Sequence, residues 1–213
     1  MNRSWILLLF LVLGFEPPSS GQHKPAPGPR APKCGPVREQ VFKCPKFGFT
    51  FTVPFGWVDR TTAFGKDEVA GGDEDYDSGV QREAEGSQVL LAVFERPPGA
   101  PGEGTNSAVV IAAESLASYK GVKSAADYFG PLGNVATRDG FRVVNEPYSF
   151  PVGMKQVVRG DFSKESGKVQ MWQSSLVTIA GSKILLFTFI AGSDEEADQL
   201  IQNLRFSTPR RAK

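Results

Sequence analysis

The sequence predicts an α+β fold: a single domain in which an antiparallel β-sheet is covered by helices. An early segment alternates apolar and polar residues at period two, as a half-buried strand does. The second half of the chain is a series of apolar runs joined by short polar turns. The last part of the domain carries a capped pattern of helical period.

The first strand is predicted at residues 47–53, where FGFTFTV places its three phenylalanines and its valine on one buried face. Pro54 ends this strand. Residues 89–94 and 108–112 are short continuous apolar runs rich in branched side chains, which predict central strands. A loop rich in proline and glycine, residues 97–106, separates them.

Ser124 and Asp127 have the S-x-x-D spacing in which a hydroxyl caps the first turn of a helix. The sequence therefore predicts a helix that starts at Ser124. Because proline cannot continue the hydrogen-bond ladder of a helix interior, we expect this helix to end near residues 128–130, before Pro131.

A meander of antiparallel strands is predicted between Phe141 and Ala191. The strands are expected at 143–144, 156–162, 168–180 and 183–191. Gly181 occupies the first central position of the turn between the last two, which a type II′ hairpin loop requires. A polar segment ending in glycine, residues 163–167, predicts the preceding turn.

Ser193 and Glu196 form a capping box that begins the closing helix. The apolar residues that follow at helical spacing are Ala197, Leu200, Ile201 and Leu204. One face of this helix must be buried, and the last hairpin is its expected platform.

Residues 4–15 read SWILLLFLVLGF and predict an export signal. A helix needs about 20 apolar residues to cross a bilayer, so this run is too short to remain as an anchor. Small residues before Gln22 place cleavage after Gly21, which gives a signal peptide at 1–21; a buried N-terminal helix is the alternative. We therefore expect an extracytoplasmic protein, secreted or periplasmic, with no membrane insertion after cleavage.

The rest of the chain divides into a proline-rich disordered tether at 22–36, the folded domain at 37–207 and a basic tail at 208–213. The single histidine, His23, lies in the tether. The domain therefore lacks the imidazole that Ser-His-Asp and Cys-His catalysis use. Lys and Arg total 24 against 23 Asp and Glu, without a basic stripe, so no nucleic-acid partner is expected.

Cys34 and Cys44 are the only cysteines, and in an exported protein they predict a structural disulfide. It would close an eleven-residue loop and stabilise the fold by about 3 kcal/mol. A redox pair or a two-thiolate metal site is the alternative, but the spacing differs from C-x-x-C.

The acidic insertion at residues 66–88 contains Asp73, Asp75 and Asp77, which alternate like the first half of a calcium loop. These three are candidate metal ligands. The match then fails, because the glycine comes one residue late and position twelve is Ala84. A solvated acidic loop is the alternative.

The pattern F-x-F-x-V-P-x-G-W, with Phe51, Pro54, Gly56 and Trp57, is followed by an order of elements that resembles PsbP-like proteins over about residues 47–206. The resemblance implies an α/β/α sandwich around an antiparallel sheet. It also implies a non-catalytic accessory or binding module, since PsbP-like proteins are typically of that kind.

We therefore expect an exported module without enzymatic activity, catalytic residues or cofactor. It would use an open face or edge of its sheet to hold an unknown protein or small ligand. Two alternatives remain open. One is a calcium-binding extrinsic accessory subunit that uses Asp73, Asp75 and Asp77, and the other is a carboxylate-dependent hydrolase.

Overall fold

The computed structural model describes residues 33–64 and 87–207. The predicted signal peptide, most of the tether with His23, the acidic segment with Asp73, Asp75 and Asp77, and the basic tail lie outside the described residues. The division of the chain into 1–21, 22–36, 37–207 and 208–213 therefore stays a prediction.

The described part of the chain contains two antiparallel sheets, two α-helices described over their whole length, and helical residues at 61–64. The strands are β1 Val41–Cys44, β2 Phe49–Thr52, β3 Val58–Asp59, β4 Gln88–Phe94, β5 Ala108–Ser115, β6 Arg142–Val143, β7 Tyr148–Val152, β8 Lys155–Ser166, β9 Val169–Ala180, β10 Lys183–Ala191 and β11 Leu204–Phe206. The helices are α1 Phe129–Arg138 and α2 Asp194–Ile201, and a 3-10 turn spans Leu116–Ser118.

The large sheet has the order β3-β4-β5-β10-β9-β8-β6, and β7 also pairs with β8. The small sheet has the order β1-β2-β11 and packs with α2 on one face of the large sheet, whereas α1 packs on the other face. The predicted α+β class and the predicted placing of helices over an antiparallel sheet are confirmed. The small sheet was not predicted.

The first strand is confirmed as β2, and its alternation explains the packing between the two sheets. Phe49 and Phe51 are almost completely buried. Their ring centroids lie 5.0 Å from Phe187 and 6.3 Å from Phe189, both on β10. Burial of each such ring contributes about 1.5–3 kcal/mol, so these contacts hold the small sheet on the large one.

On the opposite face, α1 buries Phe129, Leu132 and Ala136 against strands β8 to β10. Gly160 of β8 allows this close approach. A Cβ atom at Gly160 would lie only 2.5 Å from the Phe129 ring, which is well inside van der Waals contact. The absence of a side chain at position 160 is therefore a packing requirement.

The prediction for the first helix was wrong in its bounds. Ser124 and Asp127 do form the predicted reciprocal pair, at 2.8 and 3.3 Å, but they enclose a turn. The helix α1 begins at Phe129 and continues through Pro131 to Arg138. Pro131 is its third residue, in the first turn, where the backbone N–H has no helical acceptor to lose.

The last hairpin turn is confirmed: Gly181 has φ +62°, Ser182 has no positive φ, and Lys183 lies opposite Ala180. The predicted turn at 163–167 was wrong, because β8 continues to Ser166 and only residues 167–168 form the turn. Residues 148–152 form β7, which was not predicted. Strands β8 and β9 are each twelve residues long and pair at nine positions, from Val158 opposite Val177 to Ser166 opposite Val169.

The closing helix is confirmed with a small change. Ser193 Oγ accepts from the N–H of Glu196 at 3.2 Å, and the Glu196 carboxylate accepts from Gly192 N at 2.9 Å. Ala197, Leu200 and Ile201 are buried, and α2 packs on β10 and β9 as expected. Leu204 was placed wrongly on the helix, since it pairs with Phe51 as part of β11.

The predicted disulfide between Cys34 and Cys44 is confirmed. Cys44 is fully buried at the end of β1, and Gly35 N donates to Lys43 O at 3.0 Å beside the bridge. The bridge therefore ties the segment that enters the domain to the small sheet. Within residues 33–64 and 87–207, none of the helices has the length and apolarity needed to span a bilayer.

Candidate binding site

The outer edge of strand β8 pairs with two different strands along its length, first with β7 and then with β6. Tyr148–Val152 pairs with its first half, and Arg142–Val143 pairs with residues 162–163. Asn145 lies in the loop between β6 and β7, and its Oδ1 accepts from the N–H of Asp161 at 3.2 Å. The side chain of Asn145 thus replaces a backbone partner where the edge is interrupted.

A buried polar network lies directly inside this interruption. The Arg159 guanidinium donates to Asp161 Oδ1 at 2.8 Å, to Asp198 Oδ1 at 2.6 Å and to Ser174 Oγ at 3.1 Å. Ser174 Oγ also donates to Asp161 Oδ1 at 2.6 Å, and Asn145 donates to Asp161 Oδ2 at 2.7 Å. Because each nitrogen of the guanidinium has an acceptor, the network is satisfied and joins β8, β9 and α2.

The electrostatics of the network favour a permanent charge on the arginine. Burial alone would lower the pKa of Arg159, but hydrogen bonds with Asp161 and Asp198 and their charges outweigh burial and raise it. Burial also raises the pKa of the Tyr148 hydroxyl, against the opposing charge of Arg159. The Arg159 guanidinium further lies over the Phe150 ring, 5.0 Å from its centroid.

A pocket of about 230 Å³ opens beside this network, between the β7–β8 hairpin and the end of α2. Its lining is partly apolar and partly charged. The lining residues are Phe150, Pro151, Val152, Gly153, Asp198, Ile201, Gln202 and Arg205. Arg159 itself does not line the pocket, but it holds two lining residues in place. It donates a hydrogen bond to Asp198, and its guanidinium lies over the Phe150 ring.

Exposed large hydrophobic side chains are concentrated on the same edge. Within the described residues there are five, and four of them fall between residues 143 and 154. We call these four, Val143, Val144, Tyr148 and Met154, the edge patch. Met154 is 81% exposed at the tip of the hairpin, and the fifth residue, Phe55, lies in another turn and is 89% exposed.

A second buried polar cluster lies on the α1 face. Glu114, at the end of β5, accepts hydrogen bonds from the hydroxyl of Tyr119 and, at 2.8 Å, from that of Tyr128. The two rings meet edge to face, 5.0 Å apart. Burial first, and the Glu114 charge second, raise the pKa of Tyr128 far above its ordinary value. The cluster anchors the segment before α1 to the sheet.

The structure brings together one pair of sequence-predicted site residues, Cys34 and Cys44. The calcium hypothesis for Asp73, Asp75 and Asp77 stays a prediction, because these residues lie outside the described part. Within residues 33–64 and 87–207, no group of three or more His, Cys, Asp or Glu side chains is arranged to hold a metal ion.

Sequence reasoning missed Arg159, Asp161 and Asp198. A signal was present, because Arg159 and Asp161 alternate with apolar neighbours on the inward face of a strand. Two opposite charges at period two in a buried position indicate an internal ion pair. Asp198, 39 residues from Arg159 in the chain, could not be inferred in this way.

These features define the class of the protein: an α+β domain whose most distinctive surface is an apolar sheet edge beside a small pocket. No protein-family model matches the chain. No curated protein matches it either.

Among solved structures, the chain is similar to cyanobacterial PsbP (CyanoP) from Synechocystis sp. PCC 6803, at 16% identity and a TM-score of 0.46, over 82% of this chain and 97% of that one. It is also similar to the Ran-binding protein Mog1p of Saccharomyces cerevisiae, at 10% identity and a TM-score of 0.42, over 75% of this chain and 90% of that one. A third similar protein comes from Bacteroides thetaiotaomicron VPI-5482, at 13% identity and a TM-score of 0.38. The match covers 83% of this chain and 52% of that one. PsbP-like proteins are thus among the structures that this chain resembles, and the likeness concerns the fold alone.

Proposed function

We propose that this protein is an exported binding module that holds a protein partner at the edge patch and the adjoining pocket. The observation that carries this proposal is the clustering of four exposed large hydrophobic side chains within residues 143–154. Scattered single hydrophobic residues are normal on a surface, whereas four of them along one sheet edge favour an interaction site.

The size of the pocket supports a protein ligand over a cofactor. Pockets for small molecules occupy about 300–1,000 Å³, and this one has about 230 Å³. That volume suits one large side chain. A partner would therefore insert an anchor residue there, and the edge patch would supply further contacts.

The backbone of the edge supports binding through side chains. In a hairpin with a two-residue loop, every second residue of β7 turns its backbone groups away from β8, and Pro151 is one of these. Proline has no N–H, so an added strand could not form a continuous ladder along β7. Apolar contacts would then supply most of the affinity.

Two observations support export and a role other than catalysis. A disulfide is typical of an oxidising, extracytoplasmic compartment. The two carboxylates of the network, Asp161 and Asp198, are both already paired with Arg159. A carboxylate-dependent hydrolase therefore has no supporting pair at this site.

The proposal is tested by affinity capture from the native extracytoplasmic fraction. The bait is the domain, and the test variant is Tyr148→Ser with Met154→Ser. The matched control is Phe55→Ser, which removes an equally exposed hydrophobic side chain from a different turn. We expect the partner to be recovered with wild type and with the control and to be lost with the test variant. Equal recovery with all three proteins would refute the edge patch as the binding surface.

A further inference from the structure

Arg205 lies on the rim of the pocket with its charge uncompensated. Its Nη1 atom donates to the backbone carbonyl of Gln202 and, at 2.9 Å, to that of Leu204. No carboxylate of the described residues lies within ion-pair distance of it, whereas Arg159 nearby holds two. The guanidinium is therefore fixed in place by one nitrogen while its charge remains available.

The other edge of this guanidinium suits an anion with two oxygens. The Nε and Nη2 atoms of Arg205 make no hydrogen bond within the described part of the chain. Two parallel N–H groups match the two oxygens of a carboxylate, and such bidentate pairs are among the stronger hydrogen bonds in proteins. Because the side chain is already ordered, little conformational freedom is lost on binding.

The rest of the pocket suits an apolar side chain next to that anion. Phe150, Val152 and Ile201 line it, and the Oδ1 atom of Asp198 is already held by Arg159. A ligand that fits must carry a carboxylate within a few bonds of one apolar side chain. The C-terminal residue of a protein meets this condition, because its side chain and its carboxylate branch from the same Cα atom.

An internal acidic residue fits less well. Its carboxylate is on its own side chain, so the apolar side chain must come from a neighbouring residue, and the side chains of successive residues in an extended chain point to opposite sides. In a C-terminal residue the carboxylate and the apolar side chain belong to one residue. We propose that the pocket binds the C-terminal residue of the partner, with its apolar side chain inside the pocket and its carboxylate on Arg205. This inference rests on the proposed function and names the part of the partner that is recognised.

The test uses fluorescence anisotropy with labelled pentapeptides that end in Leu, Ile, Val, Phe, Met or Ala. Each peptide is made with a free C-terminal carboxylate and as the C-terminal amide. We expect at least one peptide with a large apolar terminus to bind, and amidation to weaken its binding about tenfold or more. Arg205→Gln should cause a similar loss, and amidation should then have little further effect.

The control variant is Lys120→Gln, which removes the same charge from an exposed position in the loop that precedes α1. It should leave peptide affinity unchanged. Circular dichroism melting of Arg205→Gln checks that the variant is folded, and Arg205→Lys should retain part of the affinity because one cation remains.

Equal binding of acid and amide, unchanged affinity in Arg205→Gln, or no peptide binding at millimolar concentration would each overturn the inference. Partner capture that still depends on Tyr148 and Met154 in any of these cases would leave the proposed function standing. Capture that no longer depends on those residues would overturn the proposed function as well.

Discussion

The Nη1 atom of Arg159 lies 2.6 Å from Oδ1 of Asp198, and this ion pair joins an interior strand to the helix α2. The two partners differ in environment. The Arg159 side chain is 6% exposed, whereas that of Asp198 is 54% exposed. Loss of Arg159 would leave Asp161 buried without a cation, whereas loss of Asp198 leaves Arg159 still paired with Asp161, so loss of the arginine should cost far more.

Arg159→Met should destabilise the protein by about 3–5 kcal/mol, because it leaves the carboxylate of Asp161 buried without its cation. Asp198→Asn should cost about 1 kcal/mol or less, since that partner is half exposed. Urea denaturation of both variants measures the two free energies of unfolding. Adding Asp161→Asn to Arg159→Met should restore part of the loss, because no unpaired charge then remains. Equal costs for the two single variants would contradict this account.

Gly160→Ala should destabilise the protein by about 1–3 kcal/mol, because the new methyl group would overlap the Phe129 ring. The change in the midpoint of thermal or urea unfolding measures the cost. Adding Phe129→Leu should make the cost of Gly160→Ala smaller, since the ring atoms that clash are removed.

Gly133→Ala is the matched control for that substitution. Gly133 lies within α1, and nothing would come within 4 Å of its added methyl group. Alanine favours the helix over glycine by roughly 0.5–1 kcal/mol, so this variant should be more stable than wild type. A loss of stability at both positions would show that the sheet-to-helix contact at Gly160 is not the cause.

Replacement of Cys34 and Cys44 by serine should lower the free energy of unfolding by about 3 kcal/mol, because the unfolded chain is no longer constrained by the bridge. Thermal melting with and without a reductant measures the effect. The reductant should lower the melting temperature of wild type and leave that of the double serine variant unchanged. An unchanged wild-type melt in a reductant that has demonstrably broken the bridge would contradict the prediction.

Stability should fall as pH rises above about 10 because of Tyr128. The pKa of Tyr128 is raised in the folded protein, first by burial and then by the Glu114 charge, so the hydroxyl stays protonated there while the unfolded chain loses its proton near the ordinary value of 10.0. Stability from this group is complete below that pH and declines above it by up to about 1.4 kcal/mol per pH unit.

Urea denaturation between about pH 8 and pH 11 tests the Tyr128 prediction, and Tyr128→Phe should show a smaller slope. Tyr148→Phe is the control. The pKa of Tyr148 is raised as well, but this side chain is partly exposed, so its removal should change the slope less. Identical slopes in wild type and Tyr128→Phe would exclude Tyr128 as the source.

The parts of the fold that local pattern determines could be predicted from the sequence. Alternation at residues 47–53 identified β2 and its buried face, Gly181 identified the last hairpin turn, and Ser193 identified the start of α2. In each case the determining interaction lies within a few residues, either in the period of the side chains or in the conformation that one residue allows.

The errors occurred where distant contacts decide the structure. Residues 148–152 alternate large apolar residues with a serine and a proline, and although the proline argues against a strand, they become β7 by pairing with β8. Leu204 continues the helical spacing of α2 but pairs with Phe51 across the small sheet. The candidate site is of the same kind, because Arg159 and Arg205 acquire their roles only when β8, α2 and β11 meet.

Pro151 also affects whether the exposed edge of β7 causes aggregation at high protein concentration. An apolar strand with free N–H groups would template copies of itself and grow into fibrils. Because Pro151 has no N–H, strand pairing between identical molecules along β7 is interrupted after a few residues. The protein can thus expose an apolar sheet edge to a binding partner without forming polymers of its own chain.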